Sequence, residues 1–189
     1  MVNIAIFASH NGSSLDTIHN AIQENKLLCN ISLVISNNTN SVALQKASTY
    51  DIKFALVNSK NTSDPDKKIY ELLKKYHCTH IFLSGYMKKL SPQLTQEFKV
   101  INSHPSLLPK FGGSGMYGHH VHEAVISAGE LRSGVTVHEV NEEYDSGKII
   151  LQKSLTIVKD ETALSLESKV KELEKSTIIE ALAKVLKLS

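Results

Sequence analysis

The sequence predicts an α/β fold: an open, mostly parallel sheet with helices on both faces and a mixed, antiparallel C-terminal part. Three observations predict it. Up to residue 118, short apolar runs alternate with segments whose apolar residues recur at helical spacing, which is the pattern of βαβ units. Beyond that point, two longer strand-like segments follow each other with little between them. The 189-residue chain is 41% hydrophobic and has no Pro/Gly/Ser-rich linker, so we expect one domain, 1–189, around one core.

The N-terminal elements alternate regularly. The first strand, 2–8, is mostly apolar, and the helix after it, 15–23, carries Leu15, Ile18 and Ile22 at helical spacing. This order of elements predicts Rossmann-like crossovers, which put helices on both faces of the sheet. Further strands are predicted at 31–35, 54–57, 81–83 and 98–101, and further helices at 41–49 and 66–76.

The C-terminal elements change this rhythm. A helix is predicted over 119–128, long strands over 134–140 and 148–158, and a final helix over 162–188. Because a short loop joins the two strands, they can pair antiparallel, and this predicts the mixed end of the sheet. Segment 111–118 holds four glycines in eight residues. We expect it to be an irregular, mobile loop that can act as a lid.

An amide and an imidazole stand two residues apart after the apolar run 98–101. Residues i and i+2 of a strand point to the same face, so Asn102 and His104 should project together into the crevice where open α/β sheets bind ligands. An Asn N–H can donate to a developing oxyanion, and His can stabilise charge or move protons. A carboxylate such as Asp145 can raise the pKa of that His. The alternative is that Asn102 caps a turn and His104 fills a loop.

The turn after the first strand is a candidate phosphate site. It contains Gly12, Ser13 and Ser14 at the start of a predicted helix, where backbone N–H groups and the helix dipole favour an anion. The alternative is an ordinary helix cap made by Ser13 or Ser14. No G-x-G-x-x-G pattern can be written here, which argues against a dinucleotide site.

Composition argues against several classes of function. The net charge is +2, with 21 Lys/Arg spread among 19 Asp/Glu, which does not favour a nucleic-acid-binding surface. No apolar run approaches the length of a membrane span, and no basic segment precedes the first strand. Cys29 and Cys78 form no C-x-x-C pair, which predicts free, buried thiols. We expect a soluble, cytoplasmic monomer or homodimer that acts on small molecules.

Three histidines follow the glycine-rich segment. His119 and His120 are adjacent and point to different faces of a helix, and neither Cys nor a carboxylate completes an evident ligand set with them and His122. We therefore expect surface or cap histidines here and no metal site. His138, in a strand pattern further on, should lie near the crevice without a catalytic role.

Five blocks of sequence together carry a family resemblance. They are 11–15 (NGSSL), 85–92 (GYMKKLSP), 102–109 (NSHPSLLP), 134–138 (GVTVH) and 145–147 (DSG). In this order and at about this spacing they resemble the folate-dependent formyltransferases, in particular the phosphoribosylglycinamide formyltransferases of purine synthesis. The resemblance implies the formyltransferase fold. It also implies direct transfer of a formyl group from 10-formyltetrahydrofolate to the amine of glycinamide ribonucleotide (GAR), without a covalent enzyme intermediate.

The resemblance also implies roles for single residues. Asn102 and a protonated His104 would stabilise the developing oxyanion, while Asp145 keeps the imidazole cationic and helps to move a proton through a bound water. GAR would place its phosphate on Gly12, Ser13 and Ser14 and its amine on Glu174. The alternative for Glu174 is a charged, solvated helix face. The chain departs from the family's more usual residues at two positions of the first turn, His10 and Ser14.

The resemblance implies a pterin pocket between two loops. It would be made by Met87, Lys88, Lys89, Leu90, Asn102, Asn141, Glu142, Glu143, Tyr144 and Asp145. Lys88 stands where the family usually has Arg, and Lys67 is the candidate contact for the folate's glutamate tail. Without the resemblance, Met87 and Leu90 would be core or cleft-wall residues, and the lysines and the two glutamates solvated side chains.

Three other functions are alternatives to this one. Methionyl-tRNA formyltransferase shares the Asn-x-His and the Asp, but a C-terminal domain and an Arg-Gly segment after Leu-Pro are expected in it and not here. Formyltetrahydrofolate deformylase is expected to carry an N-terminal regulatory domain. A non-enzymatic binding module on an α/β scaffold is the third, because a fold alone does not determine function.

Overall fold

The computed structural model describes residues 1–187, in which seven strands form one sheet and six helices cover it. The strands are β1 (Val2–Phe7), β2 (Cys29–Ser36), β3 (Phe54–Leu56), β4 (His80–Leu83), β5 (Lys99–His104), β6 (Arg132–Glu139) and β7 (Ile149–Thr156). The helices are α1 (Ser13–Gln23), α2 (Val42–Thr49), α3 (Pro65–Lys75), α4 (Pro92–Glu97), α5 (His119–Ser127) and α6 (Ala163–Lys187). Leu188, the predicted end of the final helix, lies outside the described residues.

The strand order is β3-β2-β1-β4-β5-β6-β7. Strands β1 to β5 pair in parallel, whereas β5 with β6 and β6 with β7 pair antiparallel. The predicted fold class, with its antiparallel C-terminal part, is therefore confirmed. The order reverses between β1 and β4, and the crevice at such a point is where open α/β sheets bind ligands.

Side chains of the central strands alternate between two apolar layers. In β1, Ile4 and Ile6 pack with α1, α5 and α6, whereas Ala5 and Phe7 pack with α3 and α4 on the other face. All four are fully buried, as the period-two geometry of a strand covered on both faces requires. Cys78 in one layer and Cys29 in the other are buried and free, as predicted.

Two elements differ from the prediction. Helix α4 was not predicted, because six residues are too few to show helical periodicity, although Pro92 at its first position is a typical start. Strand β5 continues three residues beyond the predicted end at Ile101, because Asn102 and His104 pair with His138 and Thr136 of β6. A polar sequence can remain in a strand when the neighbouring strand supplies the hydrogen bonds.

Two glycines let backbones approach closely beside the antiparallel strands. A Cβ on Gly134 would lie 2.0 Å from the Lys153 carbonyl oxygen of β7 and 2.7 Å from the Leu107 side chain. A Cβ on Gly147 would lie 1.7 Å from the Glu139 carbonyl oxygen. Both positions therefore exclude any larger residue without a backbone shift.

No helix in residues 1–187 is long and apolar enough to cross a membrane.

We expect Gly134→Ala to lower the free energy of unfolding by about 3 kcal/mol, because the added methyl group would clash with the backbone of the paired strand. Urea denaturation measures it. Ser133→Ala is the matched control: the buried Ser133 hydroxyl has no hydrogen-bond partner in the described part of the chain, so its loss should be nearly neutral. Equal stability of Gly134→Ala and wild type would contradict the close approach.

Candidate active site

Three side chains meet at the carboxyl end of β5. Asn102 and His104 project from one face of the strand, and Asp145 reaches them from the loop between β6 and β7. His104 Nδ1 lies 3.5 Å from Asp145 Oδ2, and both side chains are largely buried. The structure thus brings together the three residues predicted to act in chemistry.

His138, on the paired strand β6, connects two of them. Its Nδ1 lies 2.9 Å from the Glu139 carbonyl oxygen, which can only accept, so Nδ1 carries a proton. In the neutral ring, Nε2 then accepts a hydrogen bond from Asn102 Nδ2 at 3.3 Å. Asp145 Oδ1 lies 3.5 Å from the same nitrogen. His138 therefore orients the Asn102 amide, a contact that depends on strand register and that the sequence pattern did not reveal.

The His104 imidazole is held in one tautomer. Its Nε2 lies 2.7 Å from the Phe111 carbonyl oxygen, so the proton of the neutral ring sits on Nε2 and the Nδ1 lone pair faces Asp145. Burial lowers the pKa of His104, although the Asp145 charge and the Phe111 carbonyl oppose this. In the ligand-free protein, desolvation therefore outweighs the Asp145 charge in setting the pKa of His104. That Asp145 keeps His104 cationic during the reaction stays a prediction.

Asp145 is an ionised carboxylate that lies beside two histidine rings and one backbone donor. Burial acts to raise its pKa, but the His138 and His104 rings and the Gly113 N–H together lower it. The Gly113 N–H donates to Oδ2 at 2.9 Å. A basic Nδ1 beside a fixed anion is arranged to accept a proton, since the imidazolium that forms is stabilised at once.

The glycine-rich segment 111–118 is tied to this group of residues. Phe111 and Gly113 contact His104 and Asp145 through backbone atoms alone. Phe111 itself has a φ of 56°, a left-handed conformation that is uncommon for a bulky residue. The segment predicted as a lid therefore packs beside the histidine in this structure.

A first cavity, of about 300 Å³, lies between the start of α1 and the middle of α6. Its lining includes Ser13, Ser14 and Glu174 from the prediction. Gly12, also predicted there, is not among the lining residues: it is buried behind them at a φ of 57°, where a Cβ would lie 2.7 Å from that of Ala43. Gly12 is the N-cap residue of α1, and the side chain that accepts from the helix start is Ser84, whose Oγ bonds the Ser14 N–H at 3.2 Å. A capping role for Ser13 or Ser14 is therefore wrong.

Helix α6 contributes residues to this cavity that were not predicted. They are Ser168, Lys171, Glu172, Lys175 and Ile178, and Thr17 joins them from α1. Ser168, Lys171, Lys175 and Ile178 recur every three or four residues, with Glu172 next to Lys171, and so share one face of the helix. That spacing was visible in the sequence, but nothing in it indicated which face meets α1. Two lysines and a helix N-terminus make the cavity suitable for an anion.

Glu174 sits where α6 meets the end of β5. Ser103 Oγ donates to its Oε1 at 2.6 Å. Burial raises the pKa of Glu174, while the Ser103 hydrogen bond and the Lys171 charge oppose the rise. The solvated helix face that was the alternative for Glu174 is excluded by this half-buried contact.

A second cavity, of about 90 Å³, is lined in part by Asn102. Nine of its lining residues were predicted: Lys88, Lys89, Leu90, Asn102, Asn141, Glu142, Glu143, Tyr144 and Asp145. Leu83, Tyr86, His138 and Val140 line it as well. Lys89 and Tyr144 both line this cavity, and the Lys89 ammonium lies 5.7 Å from the Tyr144 ring centre.

Two residues predicted to bind folate do not line this cavity. Met87 is 43% exposed, and it is fixed through its backbone N–H, which donates to Ser9 Oγ at 2.8 Å. Lys67 is exposed in the first turn of α3, where its N–H donates to the helix cap Asp64. The Met87 side chain points away because the turn after β4 places Tyr86 inward instead, in edge contact with Phe7.

The three histidines of α5 separate into two kinds. His119 and His120 are exposed and lie near Glu167 and Glu123 respectively. His122 is buried, and among the described residues its Nδ1 has no hydrogen-bond partner. The expectation of a surface or cap residue is wrong for His122, because it lies on the apolar face of α5 with Val121 and Val125. Within residues 1–187, no group of three or more His, Cys, Asp or Glu side chains is arranged to hold a metal ion.

Similar proteins exist among known families, sequences and structures. A family model described as formyl transferase matches residues 2–182. A phosphoribosylglycinamide formyltransferase of Haemophilus influenzae is 37% identical over 92% of this chain and 82% of that protein. A chloroplastic phosphoribosylglycinamide formyltransferase of Arabidopsis thaliana is 32% identical over 96% of this chain, and one of Vigna unguiculata is 34% identical over 88% of it. This chain spans 64% and 55% of the lengths of these two plant relatives.

Solved structures agree in fold. The phosphoribosylglycinamide formyltransferase of Coxiella burnetii, solved in complex with CHES, superposes with a TM-score of 0.88 at 32% identity. The match covers 96% of this chain and 85% of that one. The glycinamide ribonucleotide transformylase 1 of Geobacillus kaustophilus gives a TM-score of 0.89 at 27% identity, over 98% of this chain and 99% of that one.

We expect the buried His122 to make the protein sensitive to acid. Burial lowers the pKa of His122 from its ordinary value of 6.5, so as the pH falls through that value the unfolded chain binds the proton first and the free energy of unfolding decreases. His122→Leu removes this proton uptake. The free energy of unfolding of this variant, relative to that of wild type, should therefore increase as the pH falls from about 7.5 to about 5.5.

Urea denaturation at both pH values measures this difference. Val125→Ala, at a buried position of the same helix without a titrating group, should shift stability equally at both pH values. A His122→Leu difference that does not change with pH would contradict the desolvation of His122.

Proposed function

This chain belongs to the formyl transferase family, and from that premise we propose that it transfers the formyl group of 10-formyltetrahydrofolate to the amine of N1-(5-phospho-D-ribosyl)glycinamide (GAR). The products are formyl-GAR and tetrahydrofolate, in purine (IMP) synthesis. One observation carries the proposal: the last residues of β5 join the two cavities. Asn102 lines the second cavity, and the next residue, Ser103, contacts Glu174 of the first.

GAR occupies the first cavity in this proposal. Its phosphate meets the N-terminus of α1 with Ser13 and Ser14, and Lys171 and Lys175 supply positive charge. In the ligand-free protein, these lysines pair with Glu167 and Glu172 on their own helix. The GAR amine donates an N–H hydrogen bond to the Glu174 carboxylate. Gly12 supports this site indirectly, by letting the turn pack against α2.

The folate occupies the second cavity. Backbone groups of 141–145 and of Lys88 to Leu90 face the pterin's polar edge, and Leu83, Tyr86 and Leu90 provide apolar walls. A cavity of about 90 Å³ is below the range of about 300–1,000 Å³ that holds drug-sized ligands. Binding of the folate therefore requires this cavity to widen. Tyr86 replaces Met87 in the proposed contacts, and Lys67 is left as a candidate for the mobile glutamate tail only.

The transfer itself is a direct attack of the neutral amine on the formyl carbon. Electron density moves to the formyl oxygen, and the Asn102 amide, oriented by His138, donates to it. The amine nitrogen becomes cationic as its bond to carbon forms. It then loses a proton, which the departing folate nitrogen must receive.

His104 and Asp145 move that proton. The Nδ1 lone pair of His104 faces Asp145 at 3.5 Å, so the pair can take the amine proton, directly or through a water, and return it to the folate nitrogen. The imidazolium formed on the way adds positive charge near the oxyanion. His104 thus acts as a cation only during the reaction, which agrees with its lowered pKa at rest.

We further propose a cytoplasmic setting and small-molecule substrates, for a monomer or homodimer. Free, buried cysteines agree with a reducing compartment.

The test is to mix the purified protein with 10-formyltetrahydrofolate and GAR and to follow folate absorbance. Controls omit GAR or replace the formyl donor by formate and ATP. Release of tetrahydrofolate that requires GAR is expected. Release without GAR would indicate a deformylase, and folate binding without turnover would indicate another acceptor or a binding role; either result would refute the proposal.

We expect Asn102→Ala and His104→Ala each to reduce turnover by ~10²–10³ while the fold survives, because each removes one preorganised polar group from the transition state. Steady-state kinetics measure the loss, and circular dichroism checks the fold. His120→Ala, an exposed residue outside both cavities, is the control and should keep wild-type turnover. Near-normal turnover in either site variant would exclude this catalytic site.

A further inference from the structure

Ser103 lies between Asn102 and His104 on β5, and its side chain points to the opposite face of the strand from theirs. There its hydroxyl donates to Glu174 Oε1 at 2.6 Å. Ser103 is only half-buried, so packing alone does not explain a hydroxyl at this position. The contact joins the catalytic strand directly to the acceptor cavity.

Glu174 has few other groups to hold it. Lys171, Glu172 and Lys175 of α6 share the cavity lining with it, and Ser13 and Ser14 face it from α1. The two lysines pair with Glu167 and Glu172 in this structure. Among the described residues, the Ser103 hydroxyl is the hydrogen-bond donor to the Glu174 carboxylate.

We propose that Ser103 is a positioning residue for the amine acceptor: its hydroxyl holds the Glu174 carboxylate at the end of β5, where it receives an N–H of the substrate amine. This inference rests on the proposed function. The amine must be neutral to attack the formyl carbon, and a carboxylate that accepts its N–H orients the nitrogen lone pair without bonding to it. Because Ser103 adjoins both Asn102 and His104, this contact also sets the distance between amine and formyl group.

The contact has a consequence for pH dependence. A hydroxyl that donates to a carboxylate favours the ionised form, so Ser103 works against the rise in the pKa of Glu174 that burial causes. Removal of the hydroxyl raises the pKa of Glu174 further. A protonated Glu174 no longer accepts from the amine, so the acidic limb of kcat/KM for GAR should move to higher pH in Ser103→Ala.

The first measurement is a carbon-13 NMR titration of glutamate side-chain carboxyls, with the Glu174 signal assigned by its loss in Glu174→Gln. Ser103→Ala should move the Glu174 midpoint to higher pH, and Ser103→Thr, which keeps a hydroxyl, should restore it. Ser176→Ala is the matched control, because this exposed hydroxyl on α6 bonds to the Leu173 carbonyl and does not line the cavity. An unchanged midpoint in Ser103→Ala would overturn the inference, whatever the activity.

The second measurement is the kinetics of the same variants. Loss of a hydrogen bond to a charged group should lower kcat/KM for GAR about tenfold near pH 7, with the KM for folate unchanged and the acidic limb displaced. A merely structural role would lower thermal stability without moving that limb. If Ser103→Ala does not fold, Ser103→Cys keeps the side-chain size, removes the strong donor and is measured in its place.

The two measurements separate the possible failures. Wild-type transfer with an unaltered Ser103→Ala profile would overturn the inference and leave the proposed function intact. Absence of GAR-dependent transfer in wild type would refute the proposed function, and the role of Ser103 in positioning that amine with it. The titration would still report whether Ser103 controls Glu174.

Discussion

The Asp145 carboxylate is the point at which otherwise separate parts of the chain are held together. It lies within 3.5 Å of the imidazoles of His104 on β5 and His138 on β6, and it accepts the N–H of Gly113 from the glycine-rich segment. A buried anion is tolerated only beside hydrogen-bond donors or groups that can take up positive charge, such as this N–H and these imidazoles. The antiparallel pairing of β5 with β6 supplies two of these partners, and the turn at Gly147 brings the chain back closely enough to deliver the carboxylate.

In this arrangement His104 is ready to accept a proton during the reaction. Burial lowers the pKa of His104 in the ligand-free protein, and the Phe111 carbonyl directs its basic nitrogen to Asp145. The proposed reaction generates a proton beside that nitrogen, so the positive charge arises when the oxyanion does. A permanently cationic imidazole would instead carry a desolvation cost throughout the ligand-free state. The same low-dielectric surroundings strengthen the Asn102 hydrogen bond at the moment it matters.

The two cavities lie on either side of the carboxyl end of β5. Successive side chains of this strand point to opposite faces, and so they contact different cavities. Asn102 lines the second cavity and His104, on the same face, lies beside Asp145, whereas Ser103 faces α6 and contacts Glu174 of the first cavity. Acceptor and donor sites can therefore be separate while their reacting groups meet. Helix α6 is the element that closes the first cavity, because its face with Lys171, Glu174 and Lys175 lies against the start of α1.

The sequence by itself determined the α/β order of elements, the antiparallel end and the grouping of Asn102, His104 and Asp145, because apolar periodicity and the five blocks are local patterns. It did not determine α4, which is too short to show a period, or the inward turn of Tyr86 in place of Met87. Tertiary structure alone decided the lowered pKa of His104, the burial of His122 and the contacts of His138 and Ser103. Each depends on what lies across the sheet or on the next strand, and desolvation and register are properties of neighbours that are distant in sequence.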